Sequence, residues 1–158
     1  MISALLNNAT FMVFILSAIP VMEQRLAIPL GIIKYNMDPI YTMLVSFAGS
    51  LLPVPFILLL FNVIFKWMKK ISFLRPLNNF IENKIQKNTG KIEKYKEIGL
   101  ILFVAIPLPT TGLWTGSAVA SFLGLDFKKS FICTALGGII SAIIITVVSV
   151  IFPSLLGY

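Results

Sequence analysis

Long uncharged apolar runs alternate with short polar breaks along this chain. No charged side chain occurs in Met1–Met22, Ile40–Phe65, Ile98–Leu125 or Ser130–Tyr158. A membrane-spanning helix needs about 20 consecutive apolar residues. Ile40–Phe65 and the run from Ser130 meet that need without a break at a charge. The other two runs are interrupted. Met1–Thr10 reads as a short lead made polar by Asn7 and Asn8, and Phe11–Pro20 and Leu26–Lys34 are each too short to span. Between those two arms lies A-I-P-V-M-E-Q-R-L-A-I-P-L-G, Ala18–Gly31, with Glu23 and Arg25 between Pro20 and Pro29. Proline lacks an N–H and disfavours helix in the residue before it. The pattern predicts a re-entrant hairpin with the two charges near its tip. The alternative is a kinked helix with Glu23 and Arg25 near an interface. Pro107, Pro109 and Gly112 interrupt the third run in the same manner.

The breaks predict the remaining elements. Tyr35–Pro39 is a surface turn, with Asp38 as N-cap and Pro39 at the first position of the next helix. Pro53 and Pro55 kink that helix, and Ser46, Gly49 and Ser50 form a small-residue face suited to close packing. In 66–97, Leu77, Phe80, Ile81 and Ile85 recur at helical spacing, Pro76 suits a helix start and Thr89-Gly90 a stop. This predicts a basic amphipathic helix on the membrane surface. Gly112, Gly116, Ala120 and Gly124 recur every four residues, and Thr134, Gly137, Gly138 and Ser141 give the last helix another small face. Asp126–Lys129 is a polar break, and the segment after Pro153 is expected at the far surface.

The two halves correspond. Ala18-Ile19-Pro20 matches Ala105-Ile106-Pro107, and with one residue inserted Asp38 matches Asp126, Ser46 matches Thr134 and Gly49 matches Gly137. The expected fold is an all-α integral membrane protein of one domain, 1–158. It has two inverted repeats (11–65 and 98–152), each a re-entrant helical hairpin plus a transmembrane helix, joined by the amphipathic linker 66–97. Interrupted segments at corresponding positions of two halves point to a transport site.

Composition sharpens this picture. The chain is 58% hydrophobic and 12% charged, against about 25% charged in soluble domains. The net charge of +7 does not point to nucleic acid, because nine of the 13 basic residues lie in 66–97, beside apolar runs. By the positive-inside rule this loop is cytoplasmic, and the expected setting is a multi-pass protein of the bacterial cytoplasmic membrane. Anionic lipid is the expected partner of 66–97, and a homo-oligomer is possible. Lys128 and Lys129 are cytoplasmic only if each interrupted run is a hairpin, so charge favours the inverted topology over four full spans. No charged n-region precedes the first apolar run, so a cleaved signal peptide is not expected. There is no histidine, and the one cysteine, Cys133, allows neither an internal disulfide nor a cysteine zinc cluster. No cofactor or metal is expected, and no nucleophile with a visible base suggests an enzyme.

The candidate chemistry sits at the two interruptions. An ionised group at bilayer depth costs about 2.5–3.5 kcal/mol on insertion scales, so such groups face a protein interior or a wet cavity and have a partner. Glu23 is the candidate proton carrier, with burial and the Arg25 charge acting on it in opposite senses. Glu23 and Arg25 point to opposite sides of a helix but to the same side of an extended segment, so a direct pair requires non-helical backbone at the tip. Thr110, Thr111 and Thr115 would supply neutral hydrogen-bonding groups, and Pro20, Pro29, Pro107, Pro109, Gly112 and Trp114 would shape the walls. A purely structural Glu23–Arg25 pair is the alternative. Because freed backbone groups cannot face lipid, the two interrupted segments are expected to cover each other, with Glu23 near Thr110 or Thr111.

The residues also carry a resemblance. P-V-M-E-Q-R-L-A-I-P-L-G-I at Pro20–Ile32 resembles the first signature of the small multidrug export protein family, and V-A-I-P-L-P-T-T-G-L-W-T-G-S at Val104–Ser117 its second. Length, basic central loop and four hydrophobic runs extend the likeness to nearly the whole chain. A looser, architectural similarity is to DedA-type membrane proteins, which have paired re-entrant hairpins and include carriers of lipid phosphates. That pattern carries an arginine in the second hairpin, where this chain has Thr110, Thr111 and Gly112. The expected function is a small transporter of an unidentified molecule or ion, with proton coupling. The alternatives are translocation of an anionic lipid and a non-transporting membrane scaffold.

Overall fold

The computed structural model describes residues 2–70, 89–108 and 111–155. All regular structure among them is helical: α1 (Ile2–Ala18), α2 (Glu23–Pro29), α3 (Pro39–Leu51), α4 (Val54–Lys70), α5 (Thr89–Ala105), α6 (Leu113–Phe122) and α7 (Phe127–Leu155). Most of the expected surface helix, together with Pro109 and Thr110, lies outside the described residues.

Proline and its neighbours set the breaks. Helix α1 ends where Pro20 cannot donate, and the chain turns through Ile19–Met22, where the Glu23 amide reaches the Ile19 carbonyl at 3.0 Å. Helix α2 continues past Pro29 into a π-helical turn at Leu30–Lys34, with the Tyr35 amide on the Leu30 carbonyl at 3.2 Å. Asp38 then caps α3, accepting from the Tyr41 amide at 2.9 Å. The run from Pro39 breaks at Leu52-Pro53 into α3 and α4, the kink expected of Pro53. The corresponding position in α7 is Ser141, and α7 is unbroken there. Gly124, at φ +68°, ends α6, with the Leu125 amide returning to the Ala120 carbonyl at 3.1 Å. That six-to-one bond and left-handed glycine are a Schellman stop.

Several boundaries differ from the sequence pattern. Helix α1 starts at Ile2, ahead of the expected Phe11, because Asn7 and Asn8 are carried within it. Thr89-Gly90 opens α5 rather than stopping a helix, since it precedes a helical run as readily as it follows one. Lys66–Lys70 belong to α4 and Thr89–Glu97 to α5, so the expected linker is consumed by helix at both ends. Helix α7 runs through Pro153 to Leu155.

Packing in the first half recurs in the second. A Cβ on Gly49 would strike the Phe14 carbonyl and Ser17 Cβ, and one on Gly137 would strike the Ile101 carbonyl and Val104 Cβ. Phe14 and Ser17 stand 87 positions before Ile101 and Val104, and Gly49 stands 88 before Gly137. The α1–α3 and α5–α7 contacts are therefore the same contact built twice. Val54, Leu58, Leu100, Val104, Leu113, Ala120, Leu125 and Cys133 form the main core across α4 to α7. Ala9, Val13, Ala27 and Met37 form a second core beneath α1 and α2.

Two stretches are long and apolar enough to cross a membrane, Pro39–Phe61 and Phe127–Phe152, with mean hydropathy 2.3 and 2.6. Only 33% and 39% of their apolar windows are buried. Their remaining apolar surface, including Leu44, Phe56, Leu59, Val147, Val148 and Ile151, faces outward. So extensive an exposed apolar face marks a surface made for lipid or protein rather than water.

Candidate functional site

The two broken segments meet, and each supplies what the other lacks. The first amides of a helix have no partner within it. At the start of α6 they find Glu23: the Trp114 amide donates to Oε1 at 3.0 Å and the Leu113 amide to Oε2 at 3.3 Å. A carboxylate there also matches the positive end of the helix dipole. In return, Trp114 Nε1 donates to the Ala18 carbonyl, at the last turn of α1, at 3.3 Å. All three bonds join residues at least 90 positions apart.

Glycine makes this approach possible. The backbone of Gly112 is extended and would suit any residue, but a Cβ there would overlap the Glu23 carboxylate. Glu23 itself has φ +43°, a left-handed conformation that costs a side-chain-bearing residue roughly 1–2 kcal/mol. It is 5% exposed, so tertiary contacts hold it in that conformation.

Its neighbours are placed differently. Arg25 is half-buried, and its Nη2 donates to Thr111 Oγ1 at 3.3 Å. Thr111 Oγ1 donates to the Ile106 carbonyl at 2.6 Å and accepts from the Leu108 amide at 3.1 Å, tying the loop around Pro107 into a knot. Among the described residues no ion pair joins Glu23 to Arg25: the Glu23 carboxylate is taken up by the Leu113 and Trp114 amides and the Arg25 guanidinium by Thr111. The expected direct pair is thus replaced by two separate contacts to the second segment. Glu23 meets the amides of Leu113 and Trp114 rather than a threonine hydroxyl, and Arg25 is the residue that meets Thr111.

Of the other expected site residues, Pro20 is exposed at the first turn, Pro29 lies inside α2 and Pro107 is half-buried in the second loop. Thr115 is exposed, and its hydroxyl lies 3.4 Å from the Gly112 carbonyl, so it does not join this cluster. Gln24 was passed over by the sequence reasoning. It is 1% exposed, its Nε2 donates to the Gly138 carbonyl of α7 at 3.1 Å, and among the described residues its Oε1 has no hydrogen-bond partner. A lone amide in a stretch otherwise read for its charges was the available signal. Among the described residues no group of three or more His, Cys, Asp or Glu could hold a metal ion.

A carboxylate that bridges two broken helical segments beneath outward apolar faces defines a class, a small all-helical membrane protein. A family model described as "Putative small multi-drug export protein" matches residues 23–144, and the chain belongs to that family. The match opens on Glu23 and contains Arg25, Thr111, Gly112, Leu113 and Trp114, while Ala18 lies before it. No curated protein and no solved structure matches the chain.

Proposed function

We propose that this protein is a small multi-pass transporter of the cytoplasmic membrane, and not an enzyme, that exports a small molecule or ion in exchange for protons. In this reading α1–α2 and α5–α6 are re-entrant hairpins entering from opposite sides, and the halves are inverted repeats. Two sets of contacts support the hairpins. Ala9 and Val13 of α1 pack with Met37, just beyond the π-helical turn, so the first segment runs back to the level of the middle of its opening helix. Lys96 of α5 donates to the Leu123 carbonyl at the end of α6 at 2.9 Å, and Glu97 pairs with Lys129 at 3.1 Å, so the second segment does the same.

The observation that carries the function is the Glu23 carboxylate on the Leu113 and Trp114 amides. Hydrogen bonds to a charged group contribute about 1.5–3 kcal/mol each, more than neutral ones. Proton uptake by Glu23 removes that charge and weakens the tie between the hairpin tips. The site then opens to substrate in one protonation state and closes in the other, the minimal requirement for coupling. Arg25, tethered to Thr111, keeps a positive charge beside the site throughout the cycle.

The test uses proteoliposomes with an entrapped pH indicator and a panel of organic cations. The parent protein is expected to show substrate-dependent proton flux, and Glu23→Gln to lose it while retaining its circular dichroism and melting temperature. Undiminished flux in Glu23→Gln, or no proton flux from the parent with any compound of the panel, overturns the proposal.

A further inference from the structure

We propose that the groove between α5 and α6 is a binding site for one anionic phospholipid, its acyl chain in the groove and its phosphate on Lys96. The groove has a volume of about 430 Å³ and is lined by Tyr95, Lys96, Gly99, Leu100, Phe103, Val119 and Leu123. That size falls in the ~300–1,000 Å³ range of small-ligand sites. Its floor is apolar, and its charged residue stands at one end.

Three observations select the occupant. The first is space: Gly99 is exposed and a Cβ there would meet nothing within 4 Å. Unlike Gly49, Gly116 and Gly137, it is not filled by a neighbouring helix. The second is charge. Lys96 is half-buried and donates one hydrogen bond, to the Leu123 carbonyl at 2.9 Å. Among the described residues it has no carboxylate partner, because the adjacent Glu97 is engaged with Lys129 at 3.1 Å. An ammonium has three donors, so Lys96 has capacity for a phosphate oxygen.

The third is depth. Helix α5 passes from polar, Thr89–Glu97, to wholly apolar, Ile98–Ala105, at the groove's mouth. Tyr95 is 74% exposed at that boundary, the level at which tyrosine meets headgroups. Lys128 and Lys129 open α7 at the same end. A lipid whose chain lies along Gly99 and Phe103 therefore has its headgroup among Tyr95, Lys96 and the start of α7. The cytoplasmic leaflet, to which the positive-inside rule assigns this end, is the leaflet rich in anionic lipid. The site is remote from Glu23, and the proposal stands whether or not the protein moves protons.

Native mass spectrometry of the detergent-solubilised protein, titrated with phosphatidylglycerol or phosphatidylcholine, tests it. The parent is expected to retain one phosphatidylglycerol per chain in preference to phosphatidylcholine. Lys96→Gln should lower the phosphatidylglycerol affinity roughly fivefold, the effect of one basic side chain at an anionic surface. Gly99→Phe should fill the groove and abolish retention of either lipid, with melting temperature unchanged or raised, since phenylalanine favours helix more than glycine does. Gly99→Leu, a smaller plug, is measured beside it so that the result does not hang on one variant folding. Equal retention of the two lipids by the parent overturns recognition of the headgroup. Parental retention in both plugged variants overturns the groove as the site. A parental dimer that dissociates when the groove is plugged, with no lipid bound, overturns the lipid in favour of a second copy of the chain.

Discussion

Glu23 acts as the N-cap of a helix 90 positions away. Capping residues are ordinarily adjacent to the helix they cap, whereas here Gly112 stands at the cap position and has no side chain to offer. The glycine is required by the carboxylate that takes its place. Gly112→Ala should therefore displace Glu23 and destabilise the protein by about 1–3 kcal/mol, the penalty for leaving a buried polar group unsatisfied. Thr115→Ala, on an exposed side chain of the same helix, should stay within ~0.5 kcal/mol of the parent. Unfolding in mixed micelles of mild detergent and dodecyl sulfate measures both. Equal stability of Gly112→Ala and the parent would show that the Glu23 bridge is dispensable. The importance of Glu23 was readable from the sequence, because a charge inside an apolar run needs a partner. Its partner was not. Side-chain logic led to Thr110 or Thr111, close by in the chain, and not to the amides of Leu113 and Trp114, and Thr111 binds Arg25 instead.

At the scale of elements, the small-residue faces were legible and the helix ends were not. Gly49 and Gly137 sit against helix backbone as their spacing implied, because a short side chain has one main use where two helices cross. Pro53 broke its helix as expected. Asn7 and Asn8 did not, since Ala4, Leu5, Leu6 and Ala9 around them are strong helix formers and each asparagine costs only about 0.7 kcal/mol or less in a helix. The halves also differ in a way that pattern alone hides. Ser17 and Ser46 share a hydrogen bond of 2.7 Å between α1 and α3. The corresponding residues are Val104 and Thr134, and among the described residues the buried Thr134 Oγ1 has no hydrogen-bond partner. The α1–α3 seam is pinned by a hydrogen bond where the α5–α7 seam relies on apolar packing. Gly49→Ala and Gly137→Ala should each force a helix pair apart and cost about 1–3 kcal/mol, as overpacking does. Gly99→Ala should be neutral or stabilising, as its Cβ enters open space. The same micelle assay ranks the three, and a Gly49→Ala or Gly137→Ala variant as stable as Gly99→Ala would remove the close-packing argument for that seam.

For the whole molecule, the arrangement of ends and tips constrains how the chain can sit in a bilayer. The middle of α5, the end of α6 and the start of α7 lie together, as the bonds of Lys96 to Leu123 and Glu97 to Lys129 require. The end of α1 meets the start of α6 through Trp114, well away from those charges. In the proposed hairpin arrangement the second segment leaves and returns to one basic end while its tip touches the tip of the first. If that basic end is cytoplasmic, α7 starts inside, and the first segment reaches the shared junction from the other side. Lys34, at the far end of that first segment, must then face outward. Single cysteines at Lys34 and Lys129, in a protein with Cys133 replaced by alanine, should react with a membrane-impermeant maleimide from opposite sides, Lys34→Cys in intact cells and Lys129→Cys after permeabilisation. Both positions lie outside the main core, and Lys129→Cys gives up the partly exposed ion pair with Glu97, worth at most about 1 kcal/mol. Labelling of both from outside would mean that the interrupted segments span the membrane completely, and the inverted arrangement, with its shared site between opposed tips, would fail with it.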